Sequence, residues 1–310
     1  MVFLQVLTLP ILFWNGPAGT SPLLEQAGIT KIAVPPANAA AWKKTVHLAV
    51  EARDLKDAVK LQMPGIFFQA DQASASRVPW IVSNGSRLIR NPNGMFYYDA
   101  PGKAAALAAA EASAYGNPAS IQTDESGLQP IAEMLRFLAS IPSAEGPALA
   151  DIGFVDDGSP GAAEVMNLMV RDNLLFKIVG GREPDLKLTV QIGSEQYPKK
   201  ELKDPNILVH KIRGDLTDDG RTIRIYGTSI VVARLTGKPG RIRLHLLNYG
   251  AATGTRVGGF RVRMLGQYSK YEVHSFNSPG KQLVDYEVES DATEFTVPEL
   301  KAYAVIDFLR

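Results

Sequence analysis

Apolar and polar residues follow two different patterns along the chain, and the change between them divides the sequence. Up to about residue 238, short apolar runs such as residues 29–34 alternate with segments whose apolar residues recur at helical spacing, as Leu128, Ile131 and Leu135 do. From Arg241 onward the helical spacing disappears, and strand-like segments are separated by turn residues at intervals of roughly ten. The first pattern predicts parallel sheets covered by helices, and the second predicts an antiparallel β-sandwich.

These patterns predict an α/β fold followed by an all-β region, organised in four segments. Residues 1–20 form an export segment or a first strand, and residues 21–146 form a truncated β/α-barrel-like domain. Residues 147–238 form a flavodoxin-like domain with a parallel sheet, in which segments 222–226 and 230–235 are strands, and residues 239–310 form a small antiparallel β-sandwich. The first domain is too short for a complete eightfold barrel, which takes about 250 residues.

The first fourteen residues are almost entirely apolar. Such a run is too short to cross a bilayer, which takes about 20 residues, and no Lys or Arg precedes it. It fits either the apolar part of a signal peptide or a buried first strand. We expect a secreted or periplasmic protein, with a cytoplasmic location as the alternative, and no membrane-spanning segment.

Composition excludes several classes of function. Lys and Arg number 33 against 32 Asp and Glu, so no excess positive charge favours nucleic acid. The chain has no cysteine, which excludes disulfides, thiolate metal sites and thiol nucleophiles. The four histidines lack metal-ligand spacing, and neither a phosphate-binding loop nor a nucleophile elbow occurs. We therefore predict no cofactor and no metal.

Carboxylates near the ends of predicted strands are the candidate catalytic groups. Hydrolysis of a glycosidic bond uses two of them, one as acid and one as base or nucleophile. Asp124 and Glu125 follow one strand and Glu51 follows another, so we predict Asp124 or Glu125 paired with Glu51. The alternative for Asp124 and Glu125 is capping of the helix that contains Leu128.

A loop that mixes aromatic, amide and charged residues is the candidate substrate-binding segment. Aromatic rings stack on sugar faces, while amides and carboxylates bind hydroxyl groups. Ordinary packing is the alternative for these aromatic residues. The predicted binding residues are Trp80, Asn84, Arg87, Tyr97, Tyr98 and Asp99.

Asp156 and Asp157 lie where an open α/β sheet binds ligands, at the carboxyl end of the first strand of the flavodoxin-like domain. Their alternative role is a turn that places negative charge near the start of the next helix, which begins after Ser159.

The order of domains resembles β-galactosidase-type glycoside hydrolases such as those of family 42. The resemblance rests on residues 150–159 and on the helix and strand in 164–179. It also rests on residues 244–249, followed by the strands that end with residues 297–300 and 303–306. In that family a catalytic barrel precedes a trimerisation domain, related to class I glutamine amidotransferases, and a β-sandwich. The resemblance implies a carbohydrate ligand and a homo-oligomer assembled through the central domain.

The first half departs from that family, because it is shorter than the full barrel and lacks the Asn-Glu acid/base motif, so no catalytic residue carries over. Amidotransferase chemistry needs a cysteine, which the chain lacks. The leading hypothesis is a glycoside-hydrolase-like protein that acts on or binds carbohydrate. The alternative is a non-catalytic protein that keeps this layout for carbohydrate binding or oligomer assembly.

Overall fold

A computed structural model describes residues 9–44, 47–68, 79–143, 146–238, 240–278, 280 and 282–310. Within these described residues, the first domain contains eight strands, two of which form a separate hairpin, β5–β6. The strands are β1 (Ile11–Phe13), β2 (Lys31–Val34), β3 (Ala49–Ala52), β4 (Val59–Leu61), β5 (Gly65–Phe67), β6 (Trp80–Val82), β7 (Phe96–Asp99) and β8 (Ser120–Gln122).

The six remaining strands form one parallel sheet in the order β3-β2-β1-β8-β7-β4. The last strand lies beside the first, as it does in a closed β/α barrel, and the order is otherwise sequential around the sheet. The sheet stays open between β3 and β4 because those two strands do not pair. The predicted partial barrel is therefore confirmed. The predicted order, an α/β region followed by an all-β region, is confirmed as well.

In the described part of the domain, the α-helices that accompany this sheet are α1 (Ser21–Ala27), α2 (Ala39–Trp42), α3 (Gly85–Arg90), α4 (Lys103–Ala114) and α5 (Glu125–Ser140). Side chains at alternate strand positions, such as Leu12, Ile32 and Ile121, are fully buried in the core shared with these helices. The opposite face of the sheet carries a separate small cluster formed by Ile11, Phe13 and Ala33.

The central segment forms a three-stranded parallel sheet in the order β10-β9-β11. Two helices with side-chain N-caps, Ser159 and Asp204, accompany it, and each has proline in its first turn. The elements are β9 (Ile152–Val155), α6 (Pro160–Arg171), β10 (Phe176–Ile178), β11 (Leu188–Gln191) and α7 (Pro205–Leu216).

Two four-stranded antiparallel sheets, β12-β15-β18-β17 and β13-β14-β19-β16, form the sandwich. The expectation that segments 222–226 and 230–235 belong to the parallel sheet is wrong, because β12 pairs antiparallel with β15 and β13 with β14. The exact domain limits stay a prediction. The strands are β12 (Ile223–Tyr226), β13 (Val231–Lys238), β14 (Arg241–Asn248), β15 (Phe260–Leu265), β16 (Lys270–Ser275), β17 (Val284–Val288), β18 (Ala292–Val297) and β19 (Tyr303–Leu309).

Helix α4 lies at the centre of the molecule, which explains its alanine-rich sequence. It packs against α5, strands β7 and β8, strand β14 and the turn that follows β14. All alanines from Ala104 to Ala114 are buried, and their small side chains let backbone elements approach the helix from several sides. The core of the first domain is therefore continuous with sandwich residues such as Leu247 and Tyr303.

The apolar start of the chain enters the fold at β1, a central strand of the parallel sheet. Residues 1–8 of the predicted export segment lie outside the described residues. Export of the protein stays a prediction. Within the described residues, no helix combines the length and apolar character that crossing a bilayer requires.

Candidate functional site

One face of the partial barrel carries a row of polar side chains on adjacent strands. Tyr97 and Asp99 occupy alternate positions of β7, and strand register places Lys60 of β4 beside Tyr97 and Gln122 of β8 beside Asp99. Tyr98, between them in sequence, is fully buried on the opposite face. We call Lys60, Tyr97, Asp99 and Gln122 the open polar face.

The open polar face is accessible and holds one ion pair. Lys60 Nζ lies 2.8 Å from Asp99 Oδ2, and about half of each side chain is exposed to solvent. The hydrogen bond from Lys60 to Asp99, with the charge of that carboxylate, raises the pKa of the ammonium group. Tyr97 and Gln122 are half-buried. The face thus offers hydrogen-bond donors, acceptors and an aromatic ring to a ligand.

The parallel sheet curves toward this same face. Arg53, which follows β3, donates from Nη1 to Ser120 Oγ at 3.1 Å and to the Pro118 carbonyl at 3.0 Å, although β2 and β1 separate β3 from β8. Leu55 packs on the small cluster around Phe13. The connection from β3 to β4 therefore covers the β1–β3 side of the concave face, and the open polar face lies on β4, β7 and β8.

Asp124 is the N-cap of α5, and Glu125 is the first residue of that helix. Asp124 Oδ1 accepts from Ser126 Oγ at 2.7 Å, from the Gly127 amide at 3.1 Å and from the Gly102 amide at 3.3 Å. The Ser126 hydrogen bond, with smaller contributions from the two amides, lowers the pKa of Asp124. Glu125 is exposed. Both residues therefore occupy the positions that the capping alternative describes.

Glu51 is held by two cations. Arg53 Nη2 lies 2.7 Å from Glu51 Oε1, and Lys31 Nζ lies 3.5 Å from Oε2. Partial burial would raise the pKa of Glu51, but the hydrogen bond and charge of Arg53 outweigh it and lower the pKa. This carboxylate is therefore suited to structural ion pairing and poorly suited to act as a general acid.

Glu51 and Asp124 lie on strands that are not neighbours. The strand register pairs Glu51 with Ala33, Ala33 with Phe13, and Phe13 with Gln122, which lies two residues before Asp124. Three strand spacings correspond to about 14 Å along a flat sheet, but the curvature that lets Arg53 contact both Glu51 and Ser120 shortens the direct separation. Glu51 is engaged by an ion pair and Asp124 by a helix cap. These contacts give no specific support to a catalytic pair of Glu51 with Asp124 or Glu125, and their catalytic role stays a prediction.

The predicted binding residues do not form one surface. Trp80 is half-buried beneath the Arg171 guanidinium, whose Cζ lies 3.1 Å from the ring centroid, and it also contacts Phe67. Arg87 is exposed on α3. Asn84 and Tyr98 are buried, whereas Tyr97 and Asp99 belong to the open polar face. Only Tyr97 and Asp99 are thus both adjacent and accessible.

Asn84 and Tyr98 converge on Glu111, a fully buried carboxylate in α4. Oε1 accepts from Ser83 Oγ at 3.0 Å, from the Asn84 amide at 2.8 Å and from Tyr249 OH at 2.5 Å. Oε2 accepts from Asn84 Nδ2 and Tyr98 OH, each at 2.9 Å. Five donors from three distant segments satisfy this carboxylate, as burial of a charge requires.

Tyr249 connects this network to the sandwich, because it lies in the turn directly after β14. Burial, together with the nearby Glu111 charge, raises the pKa of Tyr98 and of Tyr249 well above the usual value, so both hydroxyls remain donors. Sequence reasoning missed Glu111. The available signal was a single carboxylate at position 111 within a run of alanines.

Asp156 and Asp157 take structural positions at the end of β9. Asp156 forms a two-pronged ion pair with Arg90 of α3, with distances of 2.7 Å and 2.9 Å. Asp157 accepts from the Ser159 amide at 3.0 Å, just ahead of α6. Asp156 thus joins the central segment to the first domain, and Asp157 supports the turn before α6. No group of three or more His, Asp or Glu side chains within the described residues could hold a metal ion.

Comparisons of the whole chain find similarity in fold. No protein-family model matches the sequence, and no curated protein matches it. Among solved structures, α-L-fucosidase isoenzyme 2 from Paenibacillus thiaminolyticus is 8% identical with a TM-score of 0.54, covering 87% of this chain and 70% of that one. An apo exo-carrageenase GH42 from Bacteroides ovatus is 10% identical with a TM-score of 0.34, covering 79% and 47%. The likeness to the fucosidase shows a glycosidase-like fold, and the finer family 42 layout stays a prediction.

Proposed function

We propose that this protein binds carbohydrate on the open polar face and does not hydrolyse it. The observation that carries the proposal is the accessible row of Lys60, Tyr97, Asp99 and Gln122 on three adjacent strands. A tyrosine ring offers an apolar surface to a sugar, while the neighbouring ammonium, carboxylate and amide can bind its hydroxyl groups. The likeness to a fucosidase fold supports the ligand class.

The positions of the carboxylates favour binding over hydrolysis. Asp124 caps a helix and Glu51 is paired with Arg53 and Lys31, so each has a structural role. Asp99 forms an ion pair with Lys60, so its carboxylate is already engaged. A hydrolase would need one carboxyl group that stays protonated near neutral pH.

The test begins with thermal-shift screening of the protein against diverse oligosaccharides, followed by calorimetric titration of those that stabilise it. For a bound sugar we expect Tyr97→Ala and Asp99→Asn each to raise Kd about tenfold, because each removes one contact worth roughly 1–2 kcal/mol. Asp185→Asn, an exposed change in the central segment, serves as the matched control and should leave Kd unchanged.

Hydrolysis is measured separately by mass spectrometry of the same sugar after prolonged incubation with the protein. The proposal expects intact sugar. Cleaved products that disappear in Glu51→Gln or Asp124→Asn would contradict it and establish the catalytic hypothesis, whereas the absence of any stabilising sugar would remove the binding proposal itself.

A further inference from the structure

Among the residues that the structure describes, no group of opposite charge pairs with Arg234 of β13. Its neighbours Ala233 and Leu235 face the sandwich core, so its side chain leaves the opposite face of the sheet. There its Cζ lies 4.6 Å from the ring centroid of Tyr115, at the end of α4. Within the described part of the chain, Arg234 makes no hydrogen bond or ion pair; its Nε is fully buried, while the side chain as a whole is half-buried.

Neighbouring groups do not compensate this charge. His245 lies opposite Arg234 in the strand register, and burial, followed by the charges of Arg243 and Arg234, lowers its pKa to about 3. The imidazole is therefore neutral at physiological pH. Arg243 is already paired with Asp307 at 2.7 Å and 2.6 Å. The described residues therefore leave the positive charge of Arg234 without a counter-charge at this site.

A small cavity of about 20 Å³ lies beside Arg234. Tyr115 and Asn173 are its other polar residues, and aliphatic and aromatic side chains such as Ile89 and Phe176 complete the lining. The Asn173 amide is already engaged, because it donates to the Val231 carbonyl at 3.1 Å and accepts from the Ala233 amide at 2.6 Å. A cavity of this size has room for one water molecule or one monatomic ion.

We propose that this cavity binds a small monovalent anion, with chloride as the natural occupant, held by the N–H groups of Arg234. A water molecule could accept one hydrogen bond but would leave the charge uncompensated, whereas an anion supplies both an acceptor and the missing charge. Burial lowers the pKa of Arg234, as expected for a guanidinium without a counter-ion. The bound anion would stabilise the junction where β13 meets α3, α4 and α6.

Bromide provides the direct probe, because it resembles chloride and scatters X-rays anomalously. Crystals of the whole protein grown in sodium bromide should show an anomalous peak within hydrogen-bonding distance of the Arg234 guanidinium. In solution, thermal unfolding is compared in sodium chloride, sodium bromide and sodium gluconate at equal ionic strength, because gluconate is too large for the cavity. A tenfold excess of halide over Kd should raise the folded-to-unfolded ratio about elevenfold.

Arg234→Met should abolish the difference between halide and gluconate, and Arg241→Gln, at an exposed arginine on the neighbouring strand, should retain it. If Arg234→Met does not fold, the bromide peak in the unmodified protein decides. Absence of that peak would overturn the proposal. A peak without a halide-dependent gain in stability would indicate an adventitious ion only and would overturn it as well.

Discussion

Replacing Glu111 by glutamine tests whether its hydrogen-bond network joins the first domain to the sandwich. Glutamine keeps one acceptor oxygen but places an NH₂ group opposite either the Asn84 backbone N–H or the Asn84 side-chain NH₂. The backbone N–H cannot accept, and turning the Asn84 side-chain amide would break its two hydrogen bonds with the Gln62 backbone. One unpaired buried donor costs about 1–3 kcal/mol, and weakening of the charge-assisted bonds from Tyr98, Tyr249 and Ser83 adds about 1–2 kcal/mol. We expect Glu111→Gln to lower the free energy of unfolding by about 3 kcal/mol.

Urea unfolding followed by far-UV and near-UV circular dichroism measures this loss. Glu125→Gln is the matched control, since Glu125 is exposed at the start of α5, and it should cost less than about 1 kcal/mol. Tyr249→Phe removes only the hydroxyl that reaches Glu111 from the sandwich and should cost about 1–2 kcal/mol. In this variant the near-UV and far-UV transitions should separate, because the sandwich is less tightly coupled to the first domain.

A loss below 1 kcal/mol for Glu111→Gln, equal to that of Glu125→Gln, would refute the reasoning. It would mean that the network relaxes around an amide without cost. Coincident transitions in Tyr249→Phe would contradict the coupling between domains even if Glu111→Gln proved destabilising.

Three further changes test the remaining assignments. Asp124→Asn keeps a good N-cap and should change the free energy of unfolding at pH 7 by less than about 1 kcal/mol. Because folding lowers the pKa of Asp124, the unmodified protein should lose stability relative to Asp124→Asn as the pH falls below about 4. Thermal unfolding measured across this pH range tests the difference. His245, with a pKa of about 3, should stay neutral at pH 5 in ¹⁵N imidazole spectra, and an imidazolium signal there would contradict its burial. Asp156→Asn removes the ion pair with Arg90 and should cost about 1–2 kcal/mol in urea unfolding, and no loss would show that the pair is not stabilising.

Local patterns were sufficient to predict many elements. The helix after Ser159 starts where the sequence places an N-cap followed by proline, and α5 buries Leu128, Ile131 and Leu138 at helical spacing. The order of an α/β region before an all-β region also followed from periodicity. These features depend on residues close together in sequence, which is why the sequence alone reveals them.

Pairing between distant segments could not be predicted in the same way. Strands β12 and β13 have apolar patterns that suit either a parallel or an antiparallel sheet, and only contacts with β14 and β15 determine their direction. Glu111 shows the same limit, because its donors come from positions 83, 84, 98 and 249. The sequence leaves both catalysis and capping open for Asp124, since both roles place a carboxylate after a strand.

Hydrogen exchange with and without a stabilising oligosaccharide tests the central claim most directly. Peptides covering β4, β7 and β8 should exchange more slowly when the sugar is bound, while the sugar is recovered intact. Protection confined to other parts of the chain, or recovery of cleaved sugar, would contradict the account.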